Sequence, residues 1–169
     1  MTLLRAGASW IIAAWMCFIF LSSLPYKFSG HPDTQHIFGT IGSWIGGFAG
    51  TGIGELFTNY GAYVVGTFEL ITSIVLLLPI LLWVGSKATK SYFGITRRRL
   101  HVIGGLMASM VMAGAAFFHL FTPLGIEVLH QGESDGGSLF YAAVSILILG
   151  IVLFAINRGW SEDDKYAQV

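Results

Sequence analysis

The stretch from Gly61 to Val84 constrains this chain more than any other, because it is apolar and long enough to cross a bilayer. About 20 apolar residues, each rising about 1.5 Å, span a hydrocarbon core of about 30 Å. One residue of this stretch, Glu69, is out of place in hydrocarbon, since it lies about seven residues and therefore about 10 Å below the helix end. A carboxylate at such depth costs about 2 to 3 kcal/mol or more, so Glu69 is expected to face a protein interior or a wet cavity.

The composition extends this membrane prediction to the whole chain. Hydrophobic residues make up 54% of the 169 residues, charged residues only 11%, and the mean hydropathy is +0.72. A soluble domain usually has about 25% charged residues, so the bilayer is the predicted solvent. The length indicates a single membrane domain, 1–169. Cys17 is the only cysteine, which excludes an internal disulfide and a cysteine-based metal cluster.

Four membrane spans are predicted, at about 8–24, 61–84, 101–121 and 138–156. Pro25 is expected to end the first span, because proline lacks the N–H group of a helix interior. The predicted fold class is an all-α membrane protein: a four-transmembrane-helix antiparallel bundle with an amphipathic interfacial helix between spans 1 and 2.

The interfacial helix is predicted within an outer segment, 33–60. Its apolar residues recur at the spacing of one helical face. They are Ile37, Phe38, Ile41, Trp44, Ile45 and Phe48. The glycine-rich stretch 46–54 is expected to break this helix and to act as a connector. A phosphate-binding loop is excluded there, because no strand precedes the glycines and no Lys-Ser/Thr follows them.

Lysine and arginine predict the topology. Eight of the nine fall on the side that holds both termini and the loop 85–100. They are Arg5, Lys87, Lys90, Arg97, Arg98, Arg99, Arg158 and Lys165. The positive-inside rule places this side in the cytoplasm, including the tail 157–169, and the localisation predicted is a bacterial inner (plasma) membrane. The triple arginine is interpreted as this topology signal and not as a nucleic-acid site.

A pair of titratable residues is predicted inside the bundle. The second and third spans each have a face of small residues, which lets another helix approach closely. These faces are Ala62, Gly66, Glu69 and Ser73 on one span, and Gly105, Ser109, Met112, Ala116 and His119 on the other. If the two faces meet, Glu69 and His119 are offset by about one turn and can form a hydrogen bond or ion pair.

Two interpretations of this pair stay open. In one, the carboxylate and the imidazole exchange protons beside a lipophilic ligand such as a quinone. In the other, the pair only fixes the register of the two helices. A metal site formed by His31, Asp33, His36, Glu127 and His130 is not favoured. His31 and His36 are five residues apart, which suits one helical face poorly, and Asp33 is better explained as a helix-start acid.

The chain resembles the DoxX/DoxD-like family of small four-span membrane proteins. The resemblance covers about residues 24–121. It rests on Leu24-Pro25-Tyr26-Lys27-Phe28-Ser29-Gly30, on Gly66-x-x-Glu69 and on His119. Some members are similar to the membrane subunit of thiosulfate:quinone oxidoreductase, and others associate with redox or stress-response partners. The resemblance implies functional roles for Glu69, His119 and Lys27.

The leading functional prediction is a redox-associated subunit, without a redox centre of its own, that binds quinone or a similar lipid. The predicted ligand-binding or proton-exchanging residues are Glu69, His119, Lys27, Gly66 and Ser73. Membrane lipids, a redox enzyme subunit and a second copy of the chain are the predicted partners, and nucleic acid is not. The alternatives are a scaffold or assembly factor that docks a partner through the outer amphipathic helix, and a small-solute or proton transporter.

Overall fold

The computed structural model describes residues 2–90 and 94–159, and it confirms the all-helical class. Its described residues form five helices and one short β-hairpin. These elements are α1 (Thr2–Phe28), α2 (Pro32–Ala49), α3 (Thr51–Thr89), α4 (Arg97–Phe121), β1 (Leu129–His130), β2 (Glu133–Ser134) and α5 (Ser138–Asn157). Four of the described helices, α1, α3, α4 and α5, are long and apolar enough to cross a membrane.

The first helix continues past Pro25, so the prediction that this proline ends the span is wrong. Pro25 cannot donate to the carbonyl one turn before it, but it removes only that one hydrogen bond. Its own carbonyl accepts a bond from the Ser29 N–H at 3.0 Å, and the helix runs to Phe28. The chain then turns at Gly30, whose φ of 68° is readily adopted by glycine.

Helices α2 and α3 are separated by Gly50 alone, at a φ of 99°. The helix breaks within the predicted stretch 46–54, but the break is one residue and not a nine-residue connector, and α3 begins at Thr51 instead of near Gly61. The glycines are helical because the two helices cross at very short range. A Cβ on Gly54 would lie 2.5 Å from the Gly42 carbonyl oxygen, and one on Gly61 would lie 2.7 Å from the Phe38 ring. Packing thus outweighs the low helix propensity of glycine.

Helices α3 and α4 meet at two places along their length. Leu76 of α3 covers Gly104 of α4, while the Phe57 and Phe118 rings meet at the other end of the same two helices, 5.4 Å apart. One end of the bundle carries Arg97–Arg99 at the start of α4, and we call it the arginine end. The other end carries α2, the β-hairpin and the close of α1, and we call it the hairpin end.

The core of the bundle is apolar and lies between α1, α3, α4 and α5. Its most deeply buried large side chains, all 1% exposed or less, are Met16, Phe20, Leu76, Ile146 and Leu153. A smaller cluster closes the hairpin end, where Ile41 of α2 packs against Leu124 and Val128. Most of the apolar face predicted for α2 is therefore used within the molecule, while Phe48 remains 69% exposed.

The loop between α4 and α5 contains the β-hairpin, which sequence analysis did not predict. His130 pairs with Glu133 across a two-residue turn, Gln131-Gly132, in which both residues have positive φ. After the hairpin, α5 runs from Ser138 to Asn157, close to the predicted span 138–156. Most of the predicted cytoplasmic tail, residues 160–169, lies outside the described part of the chain.

Candidate functional site

Glu69 is buried at the hairpin end, where α1 supplies its charge partner. Lys27 Nζ lies 2.8 Å from Glu69 Oε2, and the Ser23 hydroxyl donates to the same oxygen at 2.9 Å. Lys27 also donates to Ser23 Oγ at 2.8 Å, so the three side chains form a closed triangle. The Glu69 side chain is 4% exposed and that of Lys27 17%. The carboxylate is therefore sheltered by protein, and the Lys27 side chain is the more exposed member of the pair.

Helical spacing explains this arrangement. Ser23 and Lys27 are four residues apart on α1, so they share a face, and Gly66 and Glu69 are three apart on α3. A Cβ on Gly66 would lie 3.4 Å from Lys27 Cβ and Cδ. Gly66 thus leaves room for the aliphatic part of the lysine, which lies along α3 before its ammonium reaches the carboxylate. Three of the predicted site residues, Lys27, Gly66 and Glu69, are brought together.

The predicted hydrogen bond or ion pair between Glu69 and His119 is wrong. His119 is 7% exposed, but its Nδ1–H donates to the Gly125 carbonyl oxygen at 2.7 Å. Its ring also packs edge-on against Phe140, with centroids 5.8 Å apart. His119 therefore holds the loop after α4 against the start of α5, and every hydrogen-bond or ionic partner that the structure gives the Glu69 carboxylate lies on α1.

The register of α3 and α4 explains this error. Leu76 packs on Gly104, Glu69 lies seven residues from Leu76, and His119 lies fifteen residues from Gly104. At about 1.5 Å per residue these paths are about 10 and about 22 Å, so the two side chains are offset by about 12 Å along the bundle. The predicted offset of about one turn assumed that α3 begins near Gly61, whereas it begins at Thr51.

The two small-residue faces also have different partners from those predicted. On α4, Gly105 and Ser109 face α5, where a Cβ on Gly150 would lie 2.6 Å from the Gly105 carbonyl oxygen and would also collide with Ser109 Oγ. On α3, Gly61 faces α2 and Gly66 faces α1. Each small face thus permits a close approach, but the two do not approach each other.

Ser73 lies one turn from Glu69 and is 1% exposed. Its hydroxyl donates to the Glu69 backbone carbonyl at 2.9 Å, and its own carbonyl lies 3.8 Å from the Cys17 sulfur. Ser73 therefore satisfies backbone groups of α3 beneath the ion pair. The structure shows no hydrogen bond between Ser73 and the Glu69 carboxylate itself.

A second buried polar cluster lies at the arginine end, and sequence analysis missed it. Asn157 donates to Ser9 Oγ at 2.8 Å, and the Ser9 hydroxyl lies 2.7 Å from His101 Nδ1. His101 and Ser9 are both fully buried, and the His101 ring packs edge-on against Trp10. Within the described residues, His101 Nε2 has no hydrogen-bond partner. The available signal was one polar residue on each of α1, α4 and α5 just inside the arginines of this end, namely Ser9, His101 and Asn157.

A histidine cluster lies on the surface of the hairpin end. His130 Nδ1–H donates to Asp33 Oδ1 at 2.7 Å, and the His130 ring stacks on His36 with centroids 4.7 Å apart. His31 Nδ1 accepts a hydrogen bond from the Asp33 N–H, which caps the start of α2. Among the described residues, no group of three or more His, Cys, Asp or Glu side chains is arranged to hold a metal ion.

Asp135 organises the loop beside this cluster. Its carboxylate accepts hydrogen bonds from the N–H groups of Val128, Gly137 and Leu139 at 2.7 to 3.1 Å. Burial by itself raises the pKa of Asp135, but these three bonds, together with one from the Ser138 hydroxyl, lower the pKa below its ordinary value of 3.8. Asp135 thus fixes the turn from the β-hairpin into α5.

Comparisons of the chain with protein-family models, curated proteins and solved structures give no match.

Proposed function

We propose that this protein is a redox-associated membrane subunit of the DoxX/DoxD-like type that binds quinone or a similar lipid beside Glu69 and Lys27. The observation that carries the proposal is the buried ion pair, because it places two opposite charges deep in an apolar bundle. Ionisable residues at such positions are costly and commonly serve binding or proton exchange. The protein contributes no redox centre of its own to this proposal, so electrons would pass between the ligand and a partner subunit.

The chemistry of the pair supports a polar, uncharged headgroup as the ligand. Lys27 and Glu69 together carry no net charge, which disfavours a strongly anionic or cationic ligand at the same place. The lysine is partly exposed while the carboxylate is sheltered, so a headgroup would approach past the ammonium group. Within such a site the carboxylate is a proton acceptor and the ammonium a proton donor for a bound carbonyl or hydroxyl group.

The topology is part of the same proposal. We infer that α1, α3, α4 and α5 form an antiparallel bundle across a bacterial inner membrane, with the arginine end in the cytoplasm. The early-to-late packing of successive helices supports the antiparallel arrangement. In this orientation α2 and the β-hairpin lie at the outer surface, and the ion pair faces the outer leaflet.

The main competing interpretation is that the ion pair only fastens α1 to α3. Polar contacts between membrane helices often have no other role. A scaffold that docks a partner through α2 gains little support, because Phe38 and Ile41 of its apolar face are buried within the molecule. The experiment must therefore separate ligand binding from helix fastening.

The test compares Glu69→Gln with Glu55→Gln, the same substitution at an exposed position of the same helix. Each protein is purified in mild detergent, its extracted lipids are analysed for quinones by mass spectrometry, and a short-chain hydroquinone and its quinone are each titrated by tryptophan fluorescence. We expect wild type and Glu55→Gln to bind the hydroquinone, and Glu69→Gln to retain its helical circular dichroism but bind the hydroquinone at least about tenfold more weakly.

Absence of binding of both the hydroquinone and the quinone by the folded wild type would contradict the proposal. Equal binding by wild type and Glu69→Gln would place any quinone site elsewhere in the protein.

A further inference from the structure

The hydrogen bonds of the ion pair leave specific atoms available to a ligand. Glu69 Oε2 already accepts from both Lys27 and Ser23, whereas within the described residues no donor is bonded to Glu69 Oε1. A carboxylate oxygen can accept about two hydrogen bonds, so Oε1 is an open acceptor. Oε1 is also not among the buried polar atoms without a partner in the described residues, so it retains some accessible surface.

The ammonium group has one free donor. Lys27 Nζ carries three hydrogens, of which one points to Glu69 Oε2 and one to Ser23 Oγ. The third hydrogen remains for a ligand, and the side chain is 17% exposed. The site therefore presents one open acceptor next to one open donor, both on charged groups, and the acceptor is the more deeply placed of the two.

Aromatic side chains border the same position. A Cβ on Gly66 would lie 3.2 Å from the Phe28 ring, which is next in sequence to Lys27. The Tyr63 ring follows, with its centroid 6.3 Å from that of Phe28, and both side chains are more than 40% exposed. Exposed rings beside a polar pair suit a flat ligand ring that packs against them while its polar edge meets the charges.

From these three features we propose that the site selects the reduced, hydroxyl-bearing form of its ligand, a hydroquinone, over the oxidised quinone. This inference rests on the proposed function and specifies its ligand. A hydroquinone hydroxyl donates to Glu69 Oε1 and accepts from the third Lys27 hydrogen, which uses both open positions. A quinone carbonyl only accepts, so it leaves the carboxylate oxygen desolvated and without a donor. No electron transfer is part of this inference.

The test uses three short-chain ligands with the same ring on the wild-type protein: the hydroquinone, its quinone and its dimethyl ether. The titrations are done without oxygen, and dithionite is present only with the hydroquinone and the ether. The ether keeps the ring and the oxygen acceptors but lacks the O–H donors. We expect the hydroquinone to bind about tenfold or more tightly than the other two, the range for a hydrogen bond to a charged acceptor.

A pair of variants checks that Glu69 is the acceptor. In Glu69→Gln the charged acceptor becomes an amide, so the preference for hydroquinone over ether is expected to fall below about threefold. In Glu55→Gln the preference should stay at the wild-type ratio. Because the comparison among ligands uses the wild type, it remains decisive if Glu69→Gln does not fold.

The outcomes distinguish the two proposals. If all three ligands bind with similar affinity, the selectivity proposed here is wrong while the quinone-type site stands. If none of the three binds, the proposed function is wrong. Tighter binding of the quinone than of the hydroquinone would overturn the selectivity and indicate that the lysine, and not the carboxylate, makes the decisive contact.

Discussion

The two buried polar clusters of this bundle differ in charge and in access. At the hairpin end, Glu69 and Lys27 carry full charges and the lysine is 17% exposed. At the arginine end, Ser9 and Asn157 are uncharged, and His101 is fully buried. Both clusters join different helices across the core. Of the two clusters, only the one at the hairpin end combines opposite charges with a partly exposed side chain.

The difference also predicts how each cluster contributes to stability. A charged pair depends on both of its members, because removal of one leaves the other buried without compensation. A neutral cluster loses only the hydrogen bonds that a substitution removes, and in membrane proteins these are often worth less than 1 kcal/mol each. The following substitutions test this contrast, from the largest expected effect to the smallest.

Lys27→Met should have the largest effect, since it leaves the Glu69 carboxylate without its cation. We expect the free energy of unfolding, measured by SDS titration in mixed micelles, to fall by about 3 kcal/mol. Arg5→Met, at an exposed position of the same helix, is the control and should change little. The double variant Lys27→Met/Glu69→Leu should regain most of the loss. If the Lys27→Met protein were as stable as wild type, the charged cluster would not contribute more to stability than the neutral one.

Gly150→Ala tests whether close helix packing contributes as much to the free energy of unfolding as the polar contacts of the arginine end. The added Cβ would lie 2.6 Å from the Gly105 carbonyl oxygen and would meet Ser109 Oγ, so α4 and α5 must separate. A loss of about 2 kcal/mol is expected, as for overpacked cores. Gly114→Ala on α4 is the matched control, because nothing lies within 4 Å of its Cβ position. We expect Gly150→Ala to unfold at a clearly lower temperature than Gly114→Ala. Coincident thermal unfolding curves would contradict the close contact between α4 and α5.

Ser9→Ala removes the central member of the neutral cluster, which contacts both His101 and Asn157. We expect a smaller loss of about 1 kcal/mol, because two neutral hydrogen bonds are lost but no charge is left uncompensated. Quinone binding should stay within about twofold of wild type. Ser22→Ala, at an exposed position of α1, serves as the control. If Ser9→Ala weakened quinone binding as strongly as Glu69→Gln, the arginine end would have to belong to the site.

Acid should have the smallest effect, confined to the loop at the hairpin end. The pKa of Asp135 is lowered in the folded protein, so its contribution is fully present above the unfolded value of 3.8 and is lost as the pH falls through the folded value. Amide hydrogen exchange of Val128 and Gly137, measured by NMR between pH 6 and pH 3 and corrected for the intrinsic rate, should show lower protection only at the acid end. Asp135→Asn should remove this pH dependence. Protection that already falls between pH 6 and pH 5 would contradict the assignment to Asp135.

Hydropathy predicted the four long apolar helices, because an apolar run of bilayer length has few alternatives. The helix ends were harder to predict. Pro25 does not end α1, since one lost hydrogen bond is tolerated within a long helix. The glycines between 46 and 54 are helical except at Gly50, and two of them, Gly46 and Gly54, contact the neighbouring helix directly. In both cases tertiary contacts outweigh the local propensity on which the prediction relied.

The site was predicted in part, for a related reason. The depth of Glu69 indicated that it needs shelter, and Lys27 was named through a family resemblance. The partner derived from the helical faces, His119, was wrong because small residues indicate that some helix comes close but not which one. Ser23, which completes the triangle, has no distinctive sequence signal, since serines of membrane helices commonly bond to their own backbone, as this one also does with Phe20.

The length of α3 has a mechanical consequence. Its 39 residues extend about 58 Å, nearly twice the thickness of a hydrocarbon core, so one unbroken rod carries both Glu69 and the platform on which α2 rests. Lys27 stands on a different rod, which stops at Phe28. If a force tilted the part of α3 beneath α2, α3 would act as a lever. The Glu69 carboxylate would then move relative to the Lys27 ammonium group. A displacement of α2 would in this way change the distance between Glu69 and Lys27, because one continuous helix connects the two places.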